Sequence, residues 1–161
     1  MRKFYPSLVV DSPLDVGLSF FSDHQIETIL IDADNTLLAP GEDHSSIALK
    51  DWIKNLKDQG LRVYLISNNT PQRISAALRD LDVEGLSFAN KPLTYRIRSF
   101  MKSHAIRAER CCFIGDQLFT DMLAAHLLHM KSILVTQIDP KDYFYTRWIR
   151  RIERRILRKG A

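Results

Sequence analysis

Short apolar runs alternate along this chain with longer stretches in which apolar residues recur at helical spacing. Thr28–Ile31, Arg62–Ile66, Gly85–Phe88, Cys111–Ile114 and Ser132–Thr136 read as strands. Between them, Ser46–Lys57 reads as a helix, with Ile47, Trp52, Ile53 and Leu56 recurring near helical spacing, Ser45 to cap it and Gly60 just past its end. Thr70-Pro71 forms an N-cap and first-turn pair opening a helix to about Leu81. Thr94–His104 and Phe119–Leu128 are further helices, and Tyr143–Arg158 a last one. Alternating β and α elements with short apolar strands predict an α/β fold. It is a Rossmann-like three-layer sandwich around a mainly parallel sheet with right-handed crossovers. In such sheets a site lies beyond the carboxyl ends of the strands.

With 161 residues, 45% of them apolar and 26% charged, the chain is expected to form one soluble domain, residues 1–161. No apolar run has the length of a membrane span, and Met1–Pro6 lacks the pattern of a signal peptide. Cys111 and Cys112 are adjacent within a strand, which fits a reducing, cytoplasmic setting and no disulfide. Charge is concentrated at one end. Residues 141–161 hold eight Lys/Arg against Asp142 and Glu153, a net of +6; the whole chain is +4, so residues 1–140 sum to −2.

The candidate chemistry follows the strands. Asp32 and Asp34 end the first strand and, at i and i+2, face the same way. Two like charges so close raise each other's pKa, which points to a cation or to acid/base work; a helix cap or turn is the plainer reading of the pair alone. Ser67-Asn68-Asn69 follow the second strand, Lys91-Pro92 the third, and Gly115-Asp116-Gln117 with Asp121 the fourth. Each cluster has a bland reading as a turn or a solvated surface group. Four at one rim of a parallel sheet converge on one pocket. His24, His44, His104, His126 and His129 form no ligand pattern, and Trp52 and Trp148 read as packing residues.

This ordered set (Asp32-x-Asp34-x-Thr36, Ser67-Asn68, Lys91-Pro92, Gly115-Asp116-x-x-x-x-Asp121) resembles the haloacid dehalogenase (HAD) superfamily of phosphatases. Its wording, with the arginine-rich ending, is similar to the YqeG-type subfamily IIIA enzymes. The resemblance implies a HAD-like core and a Mg²⁺-dependent phosphomonoesterase. Asp32 would be the nucleophile, Asp34 the general acid and base, and Lys91 the charge stabiliser. Thr36, Ser67, Asn68 and Lys91 would hold the substrate phosphate. Asp32, Asp34 (through its carbonyl), Asp116 and Asp121 would surround the metal, Asp121 through water or as an orienter of Lys91. A two-component receiver domain, which shares these residue types, places its lysine last; here Lys91 precedes Asp116.

The intervals from Asp32 to Ser67 and from Ser67 to Lys91 leave no room for a large cap domain, so an open site is expected. An open site suits a phosphate on something large, or one closed by a second subunit. In the basic segment 143–159, Tyr145, Trp148, Ile149, Ile152 and Ile156 form one stripe, opposite Arg147, Arg150, Arg151, Arg154, Arg155 and Arg158. Such a helix suits an anionic membrane surface, RNA phosphates, or packing on its own core. Related families dephosphorylate phosphatidylglycerophosphate, so the resemblance implies a lipid substrate and attachment at the inner membrane face. The alternative is an RNA- or ribosome-associated binding protein with a vestigial or regulatory phosphatase pocket.

Overall fold

The computed structural model describes residues 5–33 and 45–135. In chain order the strands are β1 (Leu8–Val10), β2 (Thr28–Asp32), β3 (Arg62–Ile66), β4 (Glu84–Leu86), β5 (Cys111–Gly115) and β6 (Lys131–Val135). The helices are α1 (Leu18–Asp23), α2 (Ile47–Asp58), α3 (Pro71–Asp80), α4 (Tyr95–Ser103) and α5 (Leu123–Leu127). The strands form one sheet in the order β1-β6-β5-β2-β3-β4, and every pair is parallel. β2 is central, with Asp32 opposite Ile66 of β3 and Ile31 opposite Ile114 of β5.

Alternation along the strands builds two cores. Ile29, Ile31, Cys112 and Ile114 pack with Leu49, Ile53 and Leu56 of α2 and Ile74 and Ala77 of α3. Leu30, Cys111 and Phe113 pack with Ile97 and Met101 of α4 and Ala124 and Ala125 of α5. With helices on both faces, the central strands bury both sets of side chains, which explains their continuous apolar runs.

Local chemistry sets the helix ends. Thr70 accepts from the Arg73 amide at 3.4 Å, ahead of Pro71 at the first helical position. Gly60 takes φ +83° just beyond α2, a left-handed conformation that closes the helix. The expected cap of α2 is corrected by one residue. Ser46 accepts from the Leu49 amide at 3.2 Å, whereas the Ser45 amide donates to Asp80 at 2.8 Å.

Other boundaries also shift. The third predicted strand ends at Leu86 rather than Phe88, because Phe88 turns into the left-handed region at φ +49°. Leu8–Val10 adds an unforeseen edge strand on β6. The predicted 119–128 helix begins as a wide π-type turn, Leu118–Met122, in which the Met122 amide bonds Gln117 O at 3.2 Å. The interval from β3 to Lys91 holds only α3 and β4, and the described residues contain no inserted cap domain. Asp34, Thr36 and the basic segment 143–159 lie outside the described residues.

Candidate active site

The site is built where four strand ends meet. Asp32 is the last residue of β2, Ser67 follows β3, Lys91 lies between β4 and α4, and Asp116 follows β5. Asp121 returns from the π-type turn. All five are buried.

Lys91 is the hub. Its Nζ donates to Asp32 Oδ1, lies 2.8 Å from Asp121 Oδ1, and donates to the Ile66 carbonyl at 3.3 Å. Three acceptors match the three protons of an ammonium. The Phe113 ring lies beneath it, 5.6 Å from Nζ to the ring centre. Burial alone would pull the pKa of Lys91 down, but the Asp121 and Asp32 carboxylates outweigh it and hold the group protonated above the usual lysine range.

Asp32 is under the opposite pressures. Burial pushes its pKa well up, the Lys91 charge opposes that shift, and the Asp121 and Asp116 charges add to it. One oxygen from each of Asp32, Asp116 and Asp121 lies within 4.8 Å of the others. With all three ionised, one lysine leaves the cluster at −2. A hard divalent cation with oxygen preference supplies that balance, so the donor set fits Mg²⁺.

Two further residues fix the frame. The Asn68 side chain clasps the main chain of Lys91: its Nδ2 donates to Lys91 O at 3.1 Å, and its Oδ1 accepts from Lys91 N at 2.7 Å. The Ser67 hydroxyl accepts from the Asn69 amide at 2.9 Å. Gly115 is required by close approach. A Cβ there would stand 2.4 Å from Asp121 Oδ2 and 2.6 Å from Asp121 Cβ.

Of the residues expected from sequence, Asp32, Ser67, Asn68, Lys91, Asp116 and Asp121 gather here. The clasp by Asn68 went unread, because an Asn after a strand signals a turn and not a partner 23 residues away. Gly115 likewise looked like a turn glycine. A groove of about 700 Å³ lies elsewhere, bordered by Lys57, Arg62, Leu78 and Glu84, and none of the site residues lines it. No helix among the described residues is long and apolar enough to cross a membrane.

Comparison with known proteins gives a consistent set of relatives. A family model described as HAD-hydrolase-like matches residues 88–137. The chain is 30% identical over 165 residues to the Bacillus subtilis (strain 168) protein named Probable phosphatase YqeG, covering 99% of this chain and 96% of that one. Among solved structures, an uncharacterized protein from Listeria monocytogenes serotype 4b is similar at TM-score 0.57 and 12% identity, over 71% of this chain and 84% of that one. The cobalt-bound deoxy-D-mannose-octulosonate 8-phosphate phosphatase of Haemophilus influenzae is similar at TM-score 0.55 and 17% identity, over 71% and 80%. At these identities the two structures speak for the fold alone.

Proposed function

The chain belongs to the HAD superfamily, with the YqeG-like phosphatases, and we propose that it hydrolyses phosphomonoesters through an aspartyl-phosphate on Asp32. The observation that carries this reading is the buried cluster in which Lys91 bridges Asp32 and Asp121 beside Asp116. Such a cluster has little structural merit by itself, since burying charges costs more than apolar packing.

In the first step a carboxylate oxygen of Asp32 bonds to phosphorus and the ester P–O bond breaks. Asp34 gives its proton to the departing oxygen, then takes one from the water that releases phosphate from Asp32. Lys91 neutralises charge on the transferring group. Ser67, the Asn68 amide and Thr36 donate to, or frame, its oxygens. Asp32 and Asp116, the Asp34 carbonyl, and Asp121 directly or through water would hold Mg²⁺, which would screen the nucleophile from the anionic phosphate. Asp121 has a second task as the orienter of Lys91, which the 2.8 Å contact supports.

The short intervals on either side of Ser67 favour a substrate whose phosphate is carried on a large group, a lipid such as phosphatidylglycerophosphate foremost. The RNA- or ribosome-binding alternative rests on residues 143–159 alone. Phosphate release from a phosphoester panel including phosphatidylglycerophosphate, with Mg²⁺ or EDTA, tests the reading. Metal-dependent turnover that disappears in Asp32→Asn is expected. Salt-sensitive RNA retention without hydrolysis of any ester would replace this reading with the binding protein.

A further inference from the structure

Scattered exposed apolar residues are ordinary on a protein surface, but here several stand on the segments that carry the site. Phe88 and Leu93, between β4 and α4, and Tyr95, which opens α4, surround Lys91 in sequence and are 44%, 62% and 58% exposed. Phe119, 38% exposed, lies two residues before Asp121. The contact of Lys91 with Asp121 brings these two segments together. Phe88 holds φ +49°, a conformation an aromatic residue rarely adopts.

We propose that this apolar margin of the site mouth is an interfacial surface that seats the site on an anionic lipid bilayer. The inference rests on the phosphatase reading and deepens it, by assigning the side from which substrate is met. Charge and chain direction select the occupant. β6 runs beside β5, with Leu134 opposite Gly115, so the chain beyond Val135 leaves from the edge that bears Asp116. The sequence that follows, residues 141–161, carries a net +6 with Tyr145, Trp148, Ile149, Ile152 and Ile156 interspersed. Anionic headgroups complement such a segment, and acyl chains complement exposed Leu and Phe. A second copy of the chain carries the same +6 segment, and like charge is no complement to it.

The test uses the full chain and vesicles of phosphatidylcholine with or without phosphatidylglycerol. Wild type should sediment with phosphatidylglycerol vesicles and not with phosphatidylcholine alone. Leu93→Ser/Phe119→Ser should lower the partition coefficient at least about tenfold, while p-nitrophenyl phosphate turnover stays at the wild-type level. If the double variant loses soluble turnover as well, Leu93→Ser alone carries the same criteria. Unchanged partitioning of the variants, no vesicle binding by wild type, or a wild-type dimer that the variants dissociate would each overturn the proposal. Vesicle binding by a wild type that hydrolyses neither soluble esters nor phosphatidylglycerophosphate would uphold the docking surface and reject the hydrolase reading, so the two fail separately.

Discussion

Lys91 Nζ lies 2.8 Å from Asp121 Oδ1, with both side chains almost wholly buried, and the other oxygen of the same carboxylate accepts from the Gln117 amide at 3.1 Å. The contact ties the loop after β5 to the loop after β4, across the end of β2. Asp121 therefore shapes its own turn and aims the lysine.

Lys91→Met keeps the length of the side chain and removes its charge. Asp32 and Asp121 would then face each other and Asp116 without their ammonium. Loss of one partner from a buried pair costs about 3–5 kcal/mol. Urea unfolding in EDTA should show a loss of this order, Mg²⁺ should recover part of it, and turnover should fall at least about a hundredfold. An unchanged unfolding midpoint in EDTA would mean that the carboxylates are not charged together in the native state.

Gly115→Ala should be far worse than its single methyl suggests. The new Cβ would meet the Asp121 side chain at 2.4–2.6 Å, so Asp121 must shift and release Lys91. A destabilisation of about 1–3 kcal/mol is expected, with turnover lost out of proportion to it. Gly17→Ala is the matched control, because its Cβ would meet only Ser19 Oγ at an ordinary 3.5 Å. Comparable turnover in the two variants would show that Asp121 does not depend on this close approach.

The sheet and much of its site were legible because Asp32, Ser67 and Asp116 stand at or just past the ends of apolar strands. Asp32, Ser67 and Asp116 inherit their positions from β2, β3 and β5; β2 and β5 announce themselves by burial on both faces, and β3 by its apolar run, with only Arg62 and Tyr64 half-buried. β1 did not, because Leu8–Val10 is three residues long, half-exposed at Val9, and paired with a strand at the far end of the chain. Its existence is a tertiary fact. The Asn68 clasp and the demand for Gly115 are of the same kind, since each is defined by a neighbour distant in sequence or folded back by a turn. The π-type turn escaped helical periodicity because its bonds run one residue wider than those of an α-helix.

Cys111 and Cys112 carry a pH prediction. Burial raises the Cys111 thiol from an ordinary 9.0 to about 12, and raises Cys112 well above that ordinary value too. Both raised values mean that the unfolded chain releases thiol protons at lower pH than the folded one. The contribution of Cys111 to stability is therefore complete below pH 9 and declines between about pH 9 and 12, and that of Cys112 is likewise lost only above pH 9. At pH 8 neither thiol should react with iodoacetamide until the protein is unfolded, and stability should fall above pH 9 less steeply in Cys111→Ala. Rapid alkylation of the native protein at pH 8 would contradict the buried, neutral state of both thiols.

The central claim is that Asp32 carries the phosphoryl group. The direct measurement is a millisecond acid quench during turnover with Mg²⁺, followed by mass spectrometry of the peptide containing Asp32. Phosphate on Asp32, present in wild type and absent from Asp32→Asn, is the predicted result. Turnover that continues in Asp32→Asn, or proceeds in wild type with no phosphate ever found on Asp32, would contradict the account.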